Sequence, residues 1–334
     1  MGCRVIIGGF FGDEGKGKII SYLVNKDNPS IAARGGVGPN AGHTFVMGDK
    51  TFKVRMLPSG VLNKNTKLAI GAGVLVNPEI LLQEIERFNA QKRTFIDSNC
   101  GIISNEHILR DSSEGYLKNN IGTTGTGTGP ANSDRALRIL NLAKDRTELK
   151  EYITDVGLMI YSYLEKKEYV LLEGTQGTFL SLFHGSYPYV TSKDVTASSI
   201  CADVGIGPKN VDDVIVVFKS FVTRVGGGPL ENELERKESE KKGWLEYGSV
   251  TGRERRSSPF NMKMAKKAIR LNGATTIALT KLDVLYPEIS GVTEFNKLST
   301  NALQFVEDIE SELGLDVVLI GTGAEMNAII DRRK

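Results

Sequence analysis

The chain has 334 residues, of which 40% are hydrophobic and 25% charged, as expected for a globular protein with a large core. Its 42 basic and 40 acidic residues give a formal net charge of +2, so we expect no nucleic-acid partner. No apolar run approaches the roughly 20 residues that a membrane helix requires. Cys3, Cys100 and Cys201 lack metal-ligand spacing, which predicts a cytoplasmic protein with reduced thiols.

Short, continuous apolar runs alternate with helical patterns along the chain. The runs predict strands buried on both faces at 4–8, 52–57, 68–72, 169–173, 214–221, 275–280 and 316–320. Helices are predicted at 15–25, 79–90, 147–166 and 257–272. This alternation predicts an α/β fold with a mostly parallel central sheet flanked by helices, with inserted loops and small subdomains. We expect a single domain over 1–334, with an inserted helical region at about 79–168.

A glycine-rich turn follows the first predicted strand and precedes the first helix. The backbone N–H groups and the helix N-terminus at such a turn favour a bound phosphate. Gly12 and the Gly17-Lys18 pair have P-loop spacing, but the next residue is Ile19 instead of Ser or Thr. The hydroxyl that normally binds magnesium is therefore missing. The carboxylate of Asp13 is the obvious replacement ligand.

Residues of ligand-binding types recur in later loops. His43 follows a second glycine turn, and a loop imidazole can donate a hydrogen bond to a phosphate oxygen. Thr123 and Thr124 lie between glycines and offer hydroxyls and N–H groups to a phosphate. Asp283 follows an apolar strand, and a carboxylate there can accept both N1–H and the N2 amino group of guanine. Adenine lacks this donor pair, so Asp283 favours GTP over ATP.

Together these motifs resemble the adenylosuccinate synthetase family, whose members join IMP to L-aspartate with hydrolysis of GTP. The resemblance covers nearly the whole chain and implies a fold like that of the P-loop NTPases. The motifs that carry it are Gly12-Asp13-Glu14-Gly15-Lys16-Gly17-Lys18, Asn40-Ala41-Gly42-His43-Thr44, Gly122-Thr123-Thr124-Gly125, Glu173-Gly174-Thr175-Gln176-Gly177, Tyr187-Pro188-Tyr189-Val190-Thr191-Ser192, Val250-Thr251-Gly252-Arg253 and Thr280-Lys281-Leu282-Asp283.

The resemblance also implies which residues act and what each binds. For catalysis it implies Asp13, His43, Lys16 and Gln176. For GTP it implies Gly12, Glu14, Gly15, Gly17, Lys18, Gly42, Thr44, Lys281, Asp283, Gly321 and Gly323. For IMP it implies Asn40, Thr123, Thr124, Arg138 from the partner subunit, Gln176, Thr191 and Arg253. For aspartate it implies Thr251, Arg253 and Arg255, whose guanidinium groups suit two carboxylates. For Mg²⁺ it implies Asp13 and the backbone carbonyl of Gly42.

The implied reaction has two steps. Asp13 takes the N1 proton of the hypoxanthine ring, so that O6 attacks the γ-phosphate of GTP in line. His43 and Lys16 stabilise charge on the transferring group. The aspartate amine then displaces the phosphoryl group from 6-phosphoryl-IMP, giving adenylosuccinate, GDP and phosphate. Because Arg138 is expected to reach IMP across the interface, the resemblance implies a homodimer with a shared active site, although Arg135 is close enough to compete for this role.

The chain departs from the family pattern at several positions. It is shorter than the usual bacterial and eukaryotic members and resembles the compact archaeal ones. Phe11 stands where the family often has Trp, and Glu254 interrupts the usual basic run after Arg253. The family's usual Gly-Pro pair beside the guanine is replaced by Gly321-Thr322-Gly323-Ala324, which puts the base contacts there in doubt.

Two alternative functions stay open. A phage branch of the family joins aspartate to a guanine nucleotide and gives 2-aminoadenylosuccinate. That branch typically has a small residue where this chain has Asp13, so Asp13 favours IMP. A non-catalytic GTP-binding module would use the glycine loop and Asp283. The missing Ser or Thr after Lys18 disfavours such a module, and so do the ligands for IMP and aspartate, which it would not need.

Overall fold

The computed structural model of the chain describes residues 2–113, 115–248, 250 and 252–333. Its strands are β1 (Cys3–Gly8), β2 (Ile31–Arg34), β3 (His43–Met47), β4 (Lys50–Val54), β5 (Lys67–Ile70), β6 (Leu75–Val76), β7 (Thr94–Asp97), β8 (Gly101–Ile102), β9 (Ile153–Thr154), β10 (Val170–Glu173), β11 (Val211–Lys219), β12 (Phe221–Val225), β13 (Glu246–Tyr247), β14 (Glu254–Pro259), β15 (Thr276–Thr280), β16 (Val317–Gly321) and β17 (Ile329–Asp331). Its helices are α1 (Lys16–Asp27), α2 (Pro78–Arg87), α3 (Asn105–Ser112), α4 (Thr128–Leu137), α5 (Val156–Glu165), α6 (Ala197–Val204), α7 (Arg236–Lys241), α8 (Met262–Asn272), α9 (Leu282–Leu285) and α10 (Thr300–Leu313).

One large sheet organises the molecule. Within the described residues it has ten strands, in the order β17-β16-β15-β11-β1-β10-β2-β5-β7-β9. Neighbouring strands are parallel throughout, except that β17 pairs antiparallel with β16. The predicted α/β class with a mostly parallel central sheet is confirmed. Smaller sheets of β12-β14-β13, β3-β4 and β6-β8 form the inserted parts.

The central strands and their helices form for the reasons that the sequence pattern suggests. β1 and β10 are continuous apolar runs with almost no exposed side chain, as strands covered on both faces require. Asn77 caps α2 by accepting a hydrogen bond from the Ile80 N–H, with Pro78 as the first helical residue. Asn261 caps α8 in the same way, and Gly273 ends that helix in the left-handed region.

Several predicted boundaries differ from the observed ones. The run at 52–57 overlaps β4, which pairs with β3 in a partly exposed hairpin outside the main sheet. The pattern at 147–166 is broken at Asp155, whose side chain caps α5 by accepting from the Leu158 N–H at 2.8 Å. The segment 79–168 contributes strands β7 and β9 to the main sheet as well as helices.

Parallel strands end at a common edge, and the loops with ligand-type residues leave from there. The central strands end in Gly8, Arg34, Glu173, Lys219 and Thr280. A carboxyl edge of this kind is where α/β proteins bind ligands. In the described part of the chain, no helix is long and apolar enough to cross a membrane.

Candidate active site

A cavity of about 390 Å³ lies at the carboxyl edge of the sheet. Its walls combine apolar side chains such as Phe11 and Tyr189 with polar groups from several loops. It brings together most residues predicted for IMP, aspartate and catalysis. Of the predicted site residues, those in its wall are Gly12, Asp13, Asn40, Gly42, His43, Thr123, Thr124, Gln176, Thr191, Arg253 and Arg255.

The glycine loop packs against the loop that follows β10. Gly12 has φ 95°, and a Cβ atom there would lie 2.9 Å from backbone atoms of Gln176. Gln176 has φ 54°, which is uncommon for a residue with a side chain and marks a locally constrained backbone. A side chain at position 12 would therefore displace Gln176, which the sequence predicts to contact the substrate.

Inside the glycine loop, Glu14 and Lys16 form a buried pair. The Glu14 carboxylate accepts hydrogen bonds from the N–H groups of Phe10 at 2.9 Å and Gly12 at 2.8 Å. Lys16 Nζ lies 3.0 Å from Glu14 Oε2 and 3.3 Å from the Gly12 carbonyl oxygen. Neither residue is in the cavity wall. Through these bonds to the backbone, the Glu14–Lys16 pair stabilises the conformation of the glycine loop.

The N-terminus of α1 provides the phosphate-binding geometry. Gly15, the N-cap residue, has φ 83° and offers no side-chain cap to the first turn. That turn contains no acidic residue. Its N–H groups and the positive end of the helix dipole therefore suit an anion. Gly17 lies in this turn, where a Cβ atom would come within 3.0 Å of the His43 Cβ, so His43 flanks the same anion site.

His43, the first residue of β3, is held in place by Glu173 at the end of β10. Its Nδ1 lies 2.5 Å from Glu173 Oε1 and 3.1 Å from Ser59 Oγ. Burial lowers the pKa of His43 to about 4, although the Glu173 carboxylate acts in the opposite direction. Among the described residues, Nε2 of His43 is buried without a hydrogen-bond partner. An unpartnered polar nitrogen in a cavity wall is what a ligand oxygen would satisfy.

Glu173 is itself fully buried and paired. It accepts hydrogen bonds from the Ser59 N–H at 2.6 Å and from Arg34 Nη1 at 3.2 Å. Burial alone would raise the pKa of Glu173, but His43 and Arg34 together hold it below its ordinary value. Arg34 also donates to the Ala41 carbonyl at 2.8 Å, which fixes the second glycine turn.

Asp13 is surrounded by one hydroxyl and two cations. Its Oδ2 accepts a hydrogen bond from the Thr223 hydroxyl. The same oxygen lies 3.3 Å from Arg255 Nε and 3.7 Å from Lys219 Nζ. The Asp13 side chain is only 9% exposed, so these cations act on it with little screening by water. These contacts fix the position of the Asp13 carboxylate in the cavity wall.

The residues predicted for guanine lie beside the cavity, where β15 and β16 end. Asp283 Oδ1 is buried and has no hydrogen-bond partner in the described residues, as a site for ring N–H donors requires. Lys18 Nζ donates to the carbonyls of Gly323 at 2.6 Å and Ala328 at 2.8 Å. Burial lowers the pKa of Lys18 to about 8. Lys18 thus joins α1 to the loop after β16, which contains Gly321 and Gly323.

The remaining GTP residues flank the same edge. Gly15 faces Thr280, where a Cβ atom would lie 3.5 Å from the threonine side chain. Thr280 Oγ1 donates to the Glu14 carbonyl at 2.6 Å, which ties β15 to the glycine loop. Thr44 Oγ1 is buried without a hydrogen-bond partner among the described residues, and Lys281 is exposed with φ 61°.

The residues predicted to bind IMP are held in place by hydrogen bonds to neighbouring side chains. Thr123 Oγ1 donates to Asp111 at 2.7 Å, and Asn40 Nδ2 donates to Thr191 Oγ1 at 3.4 Å. Thr124 shares a 2.9 Å hydrogen bond with the Thr126 hydroxyl. Arg253 Nη1 donates to the Gly122 carbonyl at 2.7 Å, so the segment predicted to bind aspartate contacts the loop that contains Thr123 and Thr124.

Among the described residues predicted to bind IMP, Arg138 does not line the cavity. Arg138 is an exposed residue with φ 66° just after α4, and it donates only to the nearby Ala136 carbonyl, at 3.2 Å, within the described structure. Its competitor Arg135 donates to the carbonyls of Ala72 and Asn99, each at 3.0 Å. Thr251, predicted to bind aspartate, lies outside the described residues.

Sequence reasoning missed the residues that support the site from behind. Glu173 and Lys219 each end a buried parallel strand, and Ser59 and Thr223 contact the residues predicted to be catalytic. A charged residue at the carboxyl end of an otherwise apolar run is the signal that could have identified Glu173 and Lys219. Ser59 and Thr223 carry no comparable signal, because their role depends on which loops meet in space.

Comparison with known proteins identifies relatives over nearly the whole chain. A family model described as adenylosuccinate synthetase matches residues 5–145 and 139–289. The adenylosuccinate synthetase of Methanocaldococcus jannaschii is 57% identical over 334 residues, covering 99% of this chain and 97% of that protein. The Archaeoglobus fulgidus adenylosuccinate synthetase is 52% identical and covers 100% of this chain and 99% of its own length. The predicted likeness to compact archaeal members is confirmed.

Solved structures extend the likeness to the fold. The fully ligated adenylosuccinate synthetase from Plasmodium falciparum matches with a TM-score of 0.92 at 28% identity, over 99% of both chains. The succinoaminodeoxyadenylate synthetase of cyanophage S-2L, bound to dGMP and dATP, matches with a TM-score of 0.82 over 100% of this chain and 96% of that one. Its 24% identity indicates a shared fold alone. From its sequence and its architecture, this chain belongs to the adenylosuccinate synthetase family.

Proposed function

We propose that this chain is a GTP-dependent ligase that joins L-aspartate to IMP and releases adenylosuccinate, GDP and phosphate. The observation that carries the proposal is Asp13, a carboxylate within a phosphate-binding loop that also lines the cavity. A loop that only binds a nucleotide phosphate has no need for a base there. A base beside the γ-phosphate suits activation of a second substrate at that point.

In the proposed first step, Asp13 takes the N1 proton of IMP while O6 attacks the γ-phosphate. Thr223, Lys219 and Arg255 hold the Asp13 carboxylate in position. His43 Nε2 and the N–H groups of the first turn of α1 stabilise charge on the transferring phosphoryl group. Positioning and electrostatics dominate such a transfer, because phosphoryl transfer needs little covalent work from the protein.

In the proposed second step, the aspartate amine displaces the phosphoryl group from C6 of 6-phosphoryl-IMP. Arg253 and Arg255 are placed to hold the aspartate carboxylates, since both line the cavity. Gln176, in the loop that packs on Gly12, faces the same space and is placed to contact the purine ring. Thr251 is included in the aspartate site on the family resemblance.

We also propose Mg²⁺ as the cofactor, bound by the Asp13 carboxylate and the Gly42 carbonyl oxygen. Both residues line the cavity, and both offer the oxygen donors that Mg²⁺ prefers. One protein carboxylate together with substrate phosphates is an ordinary ligand set for this ion. The bound ion would neutralise charge on the phosphate oxygens of GTP.

A homodimer with a shared active site is part of the proposal. Arg138 is exposed between Leu137, 64% exposed, and Ile139, 68% exposed. Exposed apolar side chains around a cation are typical of a surface that a partner covers. Arg135 is engaged with carbonyls of its own chain, which favours Arg138 as the residue that reaches the partner's IMP.

We place the enzyme in the cytoplasm, since Cys3, Cys100 and Cys201 are buried free thiols.

The proposal is tested by incubating the purified chain with IMP, GTP, L-aspartate and Mg²⁺ and identifying the product by mass spectrometry. A parallel reaction replaces IMP with dGMP, and Asp13→Ala serves as the inactive control. Formation of adenylosuccinate by the wild type alone supports the proposal. Turnover of dGMP but not IMP would instead assign the chain to the phage-type reaction. GTP binding without either product would identify a GTP-binding module.

A further inference from the structure

Glu246, in β13, lies among three cations that come from three separate segments. Its Oε2 accepts hydrogen bonds from Lys219 Nζ at 3.0 Å and from Arg255 Nη1 at 2.6 Å. Its Oε1 lies 3.5 Å from Lys281 Nζ. Lys219 ends β11, Arg255 lies in β14 and Lys281 directly follows β15. A single carboxylate therefore connects segments that are distant in the sequence.

Two of these cations also contact Asp13. Arg255 and Lys219 lie 3.3 Å and 3.7 Å from Asp13 Oδ2. Thr223 completes the connection, because its hydroxyl accepts from Lys219 and donates to Asp13. Asp13 and Glu246 thus share the same pair of cations. Without the Glu246 charge, both cations would act on Asp13 alone.

Because these side chains are buried, the electrostatic interactions of Lys219 with Asp13 and Glu246 are strong. The side chains of Lys219, Asp13 and Glu246 are 1%, 9% and 15% exposed, so water screens their charges weakly. Burial would raise the pKa of Glu246, but Lys219, Lys281 and Arg255 hold it at about 2. Glu246 is therefore a permanent anion at neutral pH. It does not line the cavity, so its effect on any substrate is exerted through the cations.

The third cation, Lys281, connects Glu246 to the guanine side, which is the region at the ends of β15 and β16 that contains Asp283. Lys281 is two residues from Asp283, whose buried Oδ1 is the proposed acceptor for guanine. At 46% exposed, Lys281 contributes little to stability through its contact with Glu246. Its ammonium is instead placed to respond to a nucleotide, because this exposed lysine lies beside the proposed guanine acceptor in the sequence.

We propose that Glu246 is a positioning residue that couples occupation of the guanine side to the geometry of Asp13 and Arg255. A guanine nucleotide that fixes Lys281 fixes one end of the Glu246 carboxylate. The other end then holds Lys219 and Arg255 against Asp13, where the purine monophosphate and aspartate are proposed to bind. By reciprocity, the purine monophosphate should strengthen binding of the guanine nucleotide. This inference rests on the proposed function.

The test measures the dissociation constant of GDP with and without saturating IMP, both in the presence of Mg²⁺. The ratio of the two constants reports the coupling and requires no turnover. In the wild type we expect IMP to tighten GDP binding at least about fivefold. In Glu246→Gln we expect a ratio below about twofold, with the affinity for GDP alone nearly unchanged. A wild-type ratio in the variant, or no coupling in the wild type, overturns the proposal.

Two further variants make the test specific. Glu254→Gln is the matched control, because Glu254 lies in β14 and pairs on the surface with Arg236 at 3.0 Å. We expect it to keep the wild-type ratio, and its loss there would overturn the assignment to Glu246. Lys281→Met removes an exposed side chain and should fold even if Glu246→Gln does not. We expect its ratio to fall toward one, and an unchanged ratio overturns the role of this network.

The same variants separate this inference from the proposed function. In Glu246→Gln, Lys219 and Arg255 lose the Glu246 carboxylate that holds them, so their positions around Asp13 are no longer fixed. We expect kcat to fall by about 10²-fold, with the KM for aspartate changed less. If the wild type makes no adenylosuccinate, the proposed function fails. The binding ratio still tests Glu246 in that case, because it is measured without turnover.

Discussion

The Nδ1 atom of His43 lies 2.5 Å from Oε1 of Glu173, and this contact decides which imidazole nitrogen faces the cavity. A carboxylate can only accept, so the proton of the neutral ring is on Nδ1. Nε2 then presents a lone pair to the cavity. To donate a hydrogen bond to a phosphate oxygen there, His43 must acquire a second proton.

We therefore predict that binding of the γ-phosphate is linked to proton uptake. Burial holds the pKa of His43 at about 4 in the free protein, so the imidazole is neutral at pH 7. A phosphate oxygen at Nε2 would raise it. Calorimetry with IMP and a non-hydrolysable GTP analogue, in buffers of different ionisation enthalpy, should show uptake of up to about one proton. In His43→Asn this uptake should disappear, and equal uptake in both proteins would contradict the prediction.

Acid should destabilise the protein through the same residue. His43 has an ordinary pKa of 6.5 when unfolded and about 4 when folded. As the pH falls between these values, the unfolded chain binds a proton that the folded chain does not, and stability is lost. From pH 7 to 4.5 we expect His43 to account for roughly 2 to 3 kcal/mol of the loss. Urea unfolding at both pH values should show a smaller loss in His43→Asn.

Glu173→Gln should destabilise the fold strongly. It leaves the fully buried Arg34 guanidinium without its carboxylate partner, and breaking a buried pair costs about 3 kcal/mol or more. Glu148→Gln is the matched control, because Glu148 pairs with Arg146 on the surface, and we expect a loss below about 1 kcal/mol. Chemical denaturation measures both. Equal losses in the two variants would refute the structural role of Glu173.

Asp283→Asn should reduce the preference for GTP over ATP. The carboxylate can accept from both guanine donors, whereas an amide presents one acceptor and one donor. We expect the KM for GTP to rise about 10-fold or more, with kcat affected less. The control is Asp308→Asn, since Asp308 is an exposed residue of α10 that pairs with Gln304. Steady-state kinetics with both nucleotides would show no change in preference if Asp283 does not contact the base.

The shared active site can be tested with hybrid dimers. Asp13→Ala and Arg138→Leu subunits should each be nearly inactive on their own. In a mixed dimer, one site contains both an intact Asp13 and an intact Arg138 from the other subunit, so we expect about a quarter of the wild-type activity after random mixing. Hybrids that form without regaining activity would show that Arg138 does not act across the interface.

The sequence identified the residues that line the cavity better than the residues that support them. Asp13, His43 and Arg253 could be found because phosphate, purine and carboxylate ligands restrict the residue types in a glycine-rich loop. Glu173 and Lys219 could not be placed, because their partners depend on the strand order. β10 lies between β1 and β2, and β11 lies beside β1, although the chain separates these strands by more than a hundred residues.

The fold was predicted where strands are long and apolar, and less well at its edges. β1, β11 and β15 match their predicted runs closely. β2 and β7 were missed because their apolar runs are weak: β2 has one large apolar residue, Ile31, and β7 begins with Thr94 and ends with Asp97. Contacts between distant parts of the chain on the guanine side were also not predicted from the sequence. Lys18 was predicted to bind GTP, and its contacts to Gly323 and Ala328 could not be foreseen from positions about three hundred residues apart.

That last contact has a consequence for how the protein is made. The glycine loop and α1 are among the first parts to leave the ribosome, while Gly323 and Ala328 are among the last. Lys18 therefore has no carbonyls to hold until translation has reached this loop. A chain arrested before residue 321 would lack this connection between α1 and the loop after β16.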